Sequence, residues 1–441
     1  MRCAGAVREL DPNDTQATGL RRAVGAVRFA QNALLADVKA SQDAGEKPSW
    51  TSYSLHARWR EIRDEVAPWH KEVSKEAYQF GAERLAMALG NWDASRKGNR
   101  GGRKVGFPGY RSKGRNDSVK FTATPSTARL RCDGVHVKLP KIGDVRMKER
   151  LVLKPGQRIT SVTVRERAGR WFASFRIRED AWEAPSKSDG IGAIGVDLGI
   201  GDRLATMSDG SILANPRHFR EDAARLRRAQ KSVSRKQKGS KNRAKANRRV
   251  QKIHMDIANR RKDTLHKFTT GLVKNHDRIG IEDLAVAGMG RALKLGKSVM
   301  DTAPAEIRRQ LAYKSEWYGK TLVVADRWFP SSKMCAACGV VKPTLALNER
   351  SWTCACGAKH DRDLNAAINL RNLAASSAVS ACGEGSAGHH FGDGETALRE
   401  AGTIEFDGER LSGDGDASGG EPSGVEGDRT AYTTTAPIAS L

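Results

Sequence analysis

The sequence predicts a multidomain chain that combines α+β and α/β units. Three observations carry that reading. The apolar period changes from 3.6 residues to two, and then to alternating strands and helices. Four cysteines, Cys335, Cys338, Cys354 and Cys356, fall within 22 positions. Near residue 374 the composition collapses to Gly, Ser, Ala, Asp and Glu.

The elements follow in order. MRCAGAVREL alternates poorly, so a first strand there is expected to be weak. Residues 15–96 read as helical: Leu20, Val24, Val27, Leu34 and Leu35 recur at helical spacing, and Leu85, Met87 and Leu89 do so again between Tyr78 and Trp92. Residues 97–114 are a loop rich in Gly, Lys and Arg. SVKFT, VHVKL, ITSVTVRE and WFASFRI alternate as strands, and Arg167–Arg170 turns the last two into a hairpin. Residues 1–185 thus form a β-rich domain with a helical insert at about 15–96. EDAWEAPSKSDG (179–190) reads as a linker. A second domain spans 191–372, with strands at IGAIGVDLGI, RLATMSDG, SILANPR, RIGIEDL and TLVVADRWF and a long basic helical region between them. A cysteine module is inserted at 331–358, and 373–441 reads as a mostly disordered acidic tail.

The formal net charge over 441 residues is +25. The tail from Leu373 holds twelve Asp/Glu against three Lys/Arg, which leaves +34 on the first 372 residues. Such an excess calls for a polyanion, most often nucleic acid. Arg227 to Lys262 concentrates fifteen Lys/Arg against the single acid Asp256, too few acids for i,i+4 pairing, so contacts to a nucleic-acid backbone are expected there. No secretory signal is apparent and no apolar run approaches membrane-spanning length. The reading is a cytoplasmic protein with reduced thiols, nucleoid-associated when on DNA, and without a membrane partner.

The cysteines read C-x2-C, fifteen residues, C-x-C, with Gly339 and Gly357 following the pairs. Four thiolates on two tight turns suit tetrahedral Zn²⁺. Iron–sulfur ligation is the competitor, and the short second pair leaves room for His360 as a substitute ligand. The acids come from three element ends. Asp197 and Glu282 end predicted strands, and Asp363 begins a predicted helix. Carboxylates converging at one sheet edge would hold Mg²⁺ or Mn²⁺, and paired ions of this kind hydrolyse phosphodiesters. Asp361 is better placed as the helix N-cap, with Leu364, Ala367 and Ile368 on the buried face.

These residues carry a family pattern. GVDLGI, GIEDL, RWFPSSKMCAACG and WTCACGAKHDRDLNAAINL, with looser matches in ELDPNDTQATGLRRAVGAVRFAQNALL and GFPGYRSKGRNDSVKF, resemble the TnpB (OrfB) proteins of insertion sequences, relatives of type V CRISPR effectors. The resemblance covers roughly residues 9–372. It implies an RNA-guided DNA endonuclease with a RuvC-like RNase H-fold domain, an inserted zinc ribbon, and an N-terminal β-barrel wedge carrying the helical recognition insert. It implies Asp197, Glu282 and Asp363 as catalytic magnesium ligands and Cys335, Cys338, Cys354 and Cys356 as zinc ligands. It implies a guide RNA from the chain's own element and a double-stranded DNA target. Three other readings stay open: a nuclease-silent guided repressor, a transposition accessory protein, and a compact type V effector. Trp50, Trp59, Trp69 and Trp92 are expected in helix packing, and Trp328 and Trp352 are expected to pack the ribbon onto the catalytic sheet.

Overall fold

A computed structural model of the chain describes residues 2–114, 117–123, 130–180, 192–284, 296–346 and 348–376. The expected linker and acidic tail fall almost wholly outside these residues.

The chain opens with β1 (Arg2–Asp11), which is longer and better paired than its sequence predicts. It lies antiparallel to β7 (Arg170–Glu179) from Arg2 to Leu10, and meets β5 (Gly143–Met147) at Leu10 and Asp11. Continuous backbone pairing with β7 supplies what the small residues Ala4, Gly5 and Ala6 lack in side-chain patterning. Glu9 adds ion pairs across the sheet to Lys148 and Arg170. With β2 (Ser118–Thr122), β3 (Arg131–Cys132), β4 (His136–Leu139) and β6 (Gln157–Arg167), the order is β2-β6-β7-β1-β5-β4-β3. Ala168 and Gly169 both take positive φ (53° and 79°), which closes the β6–β7 hairpin at the expected turn.

Three helices enter between β1 and β2: α1 (Asp14–Asp43), α2 (Ser52–Val66) and α3 (Lys75–Arg96). Asn13 and Gln16 form a reciprocal capping box at the start of α1. The helices share a core with the sheet, since Leu20, Leu34, Leu85 and Leu89 join Phe121, Val162 and Phe175 in one buried cluster. Trp59 stacks on Tyr78, Trp50 meets Trp92 edge-on, and Trp69 meets Phe29 in the same way although it stays 47 % exposed.

The second part is built on a five-stranded sheet of order β10-β9-β8-β11-β12. β8 (Ala193–Leu198), β9 (Arg203–Met207) and β10 (Ile212–Ala214) are antiparallel; β11 (Arg278–Glu282) and β12 (Thr321–Ala325) run parallel to β8. The basic region is a helical pair, α4 (His218–Ser234) and α5 (Lys241–Asn275). The break comes where Gly239 takes φ 84° and Ser240 caps α5 by accepting from the Arg243 N–H at 3.1 Å. Leu226, Ala229, Ile253 and Ile257 join the two helices. Beyond the short α6 (Gly296–Thr302), α7 (Pro304–Tyr318) is fastened to α5 by the buried Lys314, which donates to Thr269 and Thr270 hydroxyls at 2.6 and 2.8 Å. β13 (Ser351–Thr353) and β14 (Lys359–Asp361) form a two-stranded ribbon ahead of α8 (Arg362–Ser376). No described helix is long and apolar enough to cross a membrane.

The five-stranded sheet has two unlike faces. Ile194, Val196, Ile279 and Ile281 pack on Leu265, Leu272, Ile307 and Leu311 of α5 and α7. The alternate residues of β8 and β11, Gly195 and Gly280, are register partners on the opposite face. There α8 lies directly on backbone. A methyl group at Gly195 would collide with the Ala367 carbonyl and the Arg371 amide nitrogen, and one at Gly280 would collide with the Leu370 carbonyl. Gly195→Ala should therefore destabilise the protein by about 1–3 kcal/mol, the cost of overpacking a filled interface. Gly5→Ala, which meets nothing within 4 Å, should leave the midpoint near wild type. Thermal and denaturant unfolding of the two variants side by side checks this.

Candidate active site and metal centre

The period of two that puts Gly195 against α8 also puts Asp197 on that face. Glu282 relates to Gly280 in the same way. The parallel register pairs Ile281 with Val196, so Glu282 comes level with Asp197 at the strand ends. The N-terminus of α8 then adds Asp363. Asp361 caps that helix: the N–H groups of Asp363 and Leu364 each donate to its Oδ1 at 3.0 Å. Asp361 keeps 41 % side-chain exposure and Asp363 only 18 %, so the capping aspartate faces outward and Asp363 is the more enclosed.

The electrostatics register this proximity. Burial raises the Asp197 carboxyl well above the ordinary carboxylate range, and the charges of Glu282 and Asp363 push it further in the same direction. Arg362 opposes the shift. Ser331 Oγ donates a hydrogen bond to Glu282 Oε1. Arg203 Nη1 lies 3.4 Å from both Asp361 and Asp363, and Arg350 lies 3.6 Å from Asp363. The three acids interact, but they are not drawn together as tightly as the thiols described next. Among the described residues the four cysteines are the group spaced to hold an ion.

Their sulfurs all lie within 4.8 Å of one another. The Cys335–Cys356 and Cys338–Cys354 separations are 3.8 and 3.6 Å. Tetrahedral bonds of about 2.3 Å require roughly 3.8 Å between sulfurs, so the four thiols fit a tetrahedral thiolate-bound ion. Gly339 and Gly357 take φ 76° and 88°, as the turns after each pair require. His360 lies outside this group of four. Its Nε2 is 3.0 Å from Cys335 Sγ and its ring tilts against Trp352 at 4.7 Å, so it supports a ligand thiol from the side. Burial works against ionising Cys335, yet the Cys338 and Ala337 amides, the Cys338 thiol and His360 together hold it down at about 6.

Two residues absent from the sequence reading tie the ribbon to the acid site. Asn365 and Asn369 are 1 % and 2 % exposed, one turn apart on α8. Asn365 Nδ2 donates to the Met334 carbonyl at 2.7 Å, and its Oδ1 accepts from the Ala336 N–H at 3.0 Å. Asn369 Nδ2 donates to the Ser331 and Met334 carbonyls at 2.8 and 2.7 Å. Ser331, which bonds Glu282, is thus itself held by α8. The apolar side of α8 also differs from expectation. Ala366, Ala367, Leu370 and Ala374 are fully buried, whereas Leu364 and Ile368 are only half-buried, because the glycine-lined sheet selects the small side chains. Trp352 is buried in the ribbon at 5 % exposure, but Trp328 is not: it is 84 % exposed and packs no ribbon onto the sheet.

Three comparisons bear on this architecture. Residues 174–293 match a family described as a probable transposase (OrfB_IS605), and residues 305–370 match the Cas12f1-like TNB domain. A Streptomyces pristinaespiralis protein named "Putative RNA-guided DNA endonuclease" is 41 % identical over 387 residues, 85 % of this chain and 89 % of that one. The Escherichia coli K12 protein of the same name, InsQ, is 32 % identical over 85 % of this chain and 93 % of its own length. A solved Cas12f1–sgRNA–target DNA complex aligns over 81 % of this chain and 82 % of its own at 12 % identity and a TM-score of 0.45, too remote to carry weight.

The raised Asp197 carboxyl has a stability consequence. The folded chain retains a proton there that the unfolded chain has lost, so stability falls as pH rises from the ordinary carboxylate range through the raised value. In metal-free buffer, Asp197→Asn should therefore melt above wild type at neutral pH. The gap should close as pH is lowered to about 4, where the unfolded aspartate also protonates. Melting curves taken from neutral to acid pH with a chelator present measure this directly.

Proposed function

We propose, from the premise that the chain belongs to the TnpB (OrfB) family of insertion-sequence proteins, that it is an RNA-guided DNA endonuclease which cuts at Asp197, Glu282 and Asp363. The observation that carries the site is the delivery of these three acids to a single sheet edge by two parallel strands and one helix terminus, where the charges of Glu282 and Asp363 act on Asp197. In this reading the five-stranded sheet with α8 is a RuvC-like nuclease domain (191–372), and the ribbon at 331–358 is a zinc ribbon. The seven-stranded sheet with its three helices (1–185) is the wedge with its recognition insert. Guide–target pairing supplies sequence specificity, and the protein holds the backbone of the heteroduplex.

The donor set fits divalent cations. Burial and the charges of Glu282 and Asp363 disfavour ionisation of Asp197, and a cation held by these hard oxygens would relieve that repulsion. When bound, Mg²⁺ or Mn²⁺ supplies an activated water and stabilises the leaving oxygen of a phosphodiester. The chain's own contribution is positional. Ser331 fixes one oxygen of Glu282, Asp361 fixes the first turn of α8, and the two asparagines hold both against the ribbon. Arg203 and Arg350 stand beside Asp363 and would attract a phosphate there. The α4–α5 pair carries the exposed cations suited to a nucleic-acid backbone.

The test uses protein purified with its co-expressed RNA and a plasmid carrying the matching target. Wild type should cut with Mg²⁺ and stop with a chelator. Asp363→Ala should lose cutting by at least about a hundredfold while guided binding persists, because a metal-activated nucleophile carries most of the chemistry. Cutting by Asp363→Ala at the wild-type rate would sink the site assignment. In the same preparations metal analysis should find one zinc per chain, and Cys338→Ser should lose most of it.

A further inference from the structure

The segment Asp326–Ser331 leaves the acid-bearing edge of the sheet and returns to it. It starts after Ala325, the register partner of Glu282 on the neighbouring strand. It ends at Ser331, whose hydroxyl donates to Glu282. Between these anchors Asp326, Arg327 and Trp328 form a consecutive exposed run. Trp328 is 84 % exposed, the highest value among the exposed large apolar residues described. Its ring has no aromatic or cationic partner among the described residues, unlike Trp50, Trp59 and Trp92.

That exposure is built rather than loose. The Trp328 N–H donates to Asp326 Oδ1 at 2.8 Å and the Phe329 N–H donates to the Asp326 carbonyl at 3.0 Å. The Ser331 N–H closes a second turn on the Phe329 carbonyl at 2.8 Å. Beside the indole, Arg327 Nη2 lies 3.6 Å from Asp283, the residue after Glu282. A hydrogen-bonded turn that leaves and rejoins the Glu282 edge therefore carries a bare aromatic face, and next to it in sequence a cation paired with Asp283. Water gains nothing from an exposed indole, and the adjoining core does not use it. Its flat face is complementary to an unpaired nucleobase, and stacking of that kind tolerates any sequence.

We propose that Trp328 is a stacking platform for one unpaired base of the DNA strand that enters the Asp197/Glu282/Asp363 site. It is a positioning residue: it sets where the strand sits, and the acids act on the phosphate. The inference rests on the endonuclease reading for its ligand, but its test does not depend on cutting.

The guided complex is bound, with a chelator present, to a target carrying 2-aminopurine at successive positions of the unpaired strand. Wild type and Trp328→Phe should quench the fluorophore at one or two adjacent positions, and Trp328→Ala should leave those positions bright. In Mg²⁺, an abasic site at the same positions should slow wild-type cutting roughly tenfold or more and leave Trp328→Ala, already slowed to that extent, unaffected. So exposed a side chain can be removed without unfolding the protein, which matched melting curves verify. Identical fluorescence in all three proteins at every position would overturn the proposal. Wild type that quenches but does not cut would instead overturn the endonuclease reading and leave the platform standing.

Discussion

The second half of the molecule depends on one close approach: the backbone of α8 laid against β8 and β11 where Gly195 and Gly280 leave no side chain between them. Because alternate residues of a strand share a face, the residue two positions beyond each glycine lies on the same side. Those residues are Asp197 and Glu282. The glycines bring the helix down onto the face on which the acids stand, and the helix brings Asp363. Any side chain larger than glycine would lift α8 and move the third acid away from the other two. Packing and chemistry are therefore one constraint here, with glycine-x-acid written twice on neighbouring strands.

The ribbon is joined to that constraint through buried polar groups. Asn365 and Asn369 satisfy the carbonyls of Ser331 and Met334 that would otherwise be buried without donors. The two asparagines share these acceptors, so only apolar residues at both positions would leave the carbonyls without them, at a cost of about 1–3 kcal/mol each. The ribbon thus cannot shift on α8 cheaply. Cys335 directly follows Met334, so the two asparagines link the thiol-bearing loop to Ser331, the hydrogen-bond partner of Glu282. A four-thiol centre remote from the reacting phosphate can in this way affect how tightly the acid site is assembled.

What was legible in the sequence follows the range of the interaction that makes it. The four thiols were legible because short spacings and following glycines place them by local turns. The element ends bearing Asp197, Glu282 and Asp363 were legible from apolar runs, and the family pattern singled them out from other acids. The β1 strand was under-read because its stability comes from partners some 170 residues away, such as Ile177 opposite Ala4. The asparagines were missed because polar residues in an alanine-rich helix look like its solvent side. The only hint was their spacing of four, which stacks them on one face. Its place beside the first cysteine pair suggests that Trp328 packs the ribbon onto the sheet, but it lies in a turn held by Asp326 and is exposed.

Charge sets the last requirement. A body with a formal charge of +34 through residue 372 attracts a polyanion over much of its surface. At the proposed point of cutting the sign reverses, for Asp197, Glu282, Asp363 and the capping Asp361 would repel the same phosphates. Cations fixed nearby, Arg203 and Arg350 at Asp363 and Arg327 at Asp283, offset part of that repulsion. They are too exposed to neutralise the acids, since solvent screens them. A divalent ion held among the acids can do what they cannot, making the same edge attractive to phosphate only when it is loaded.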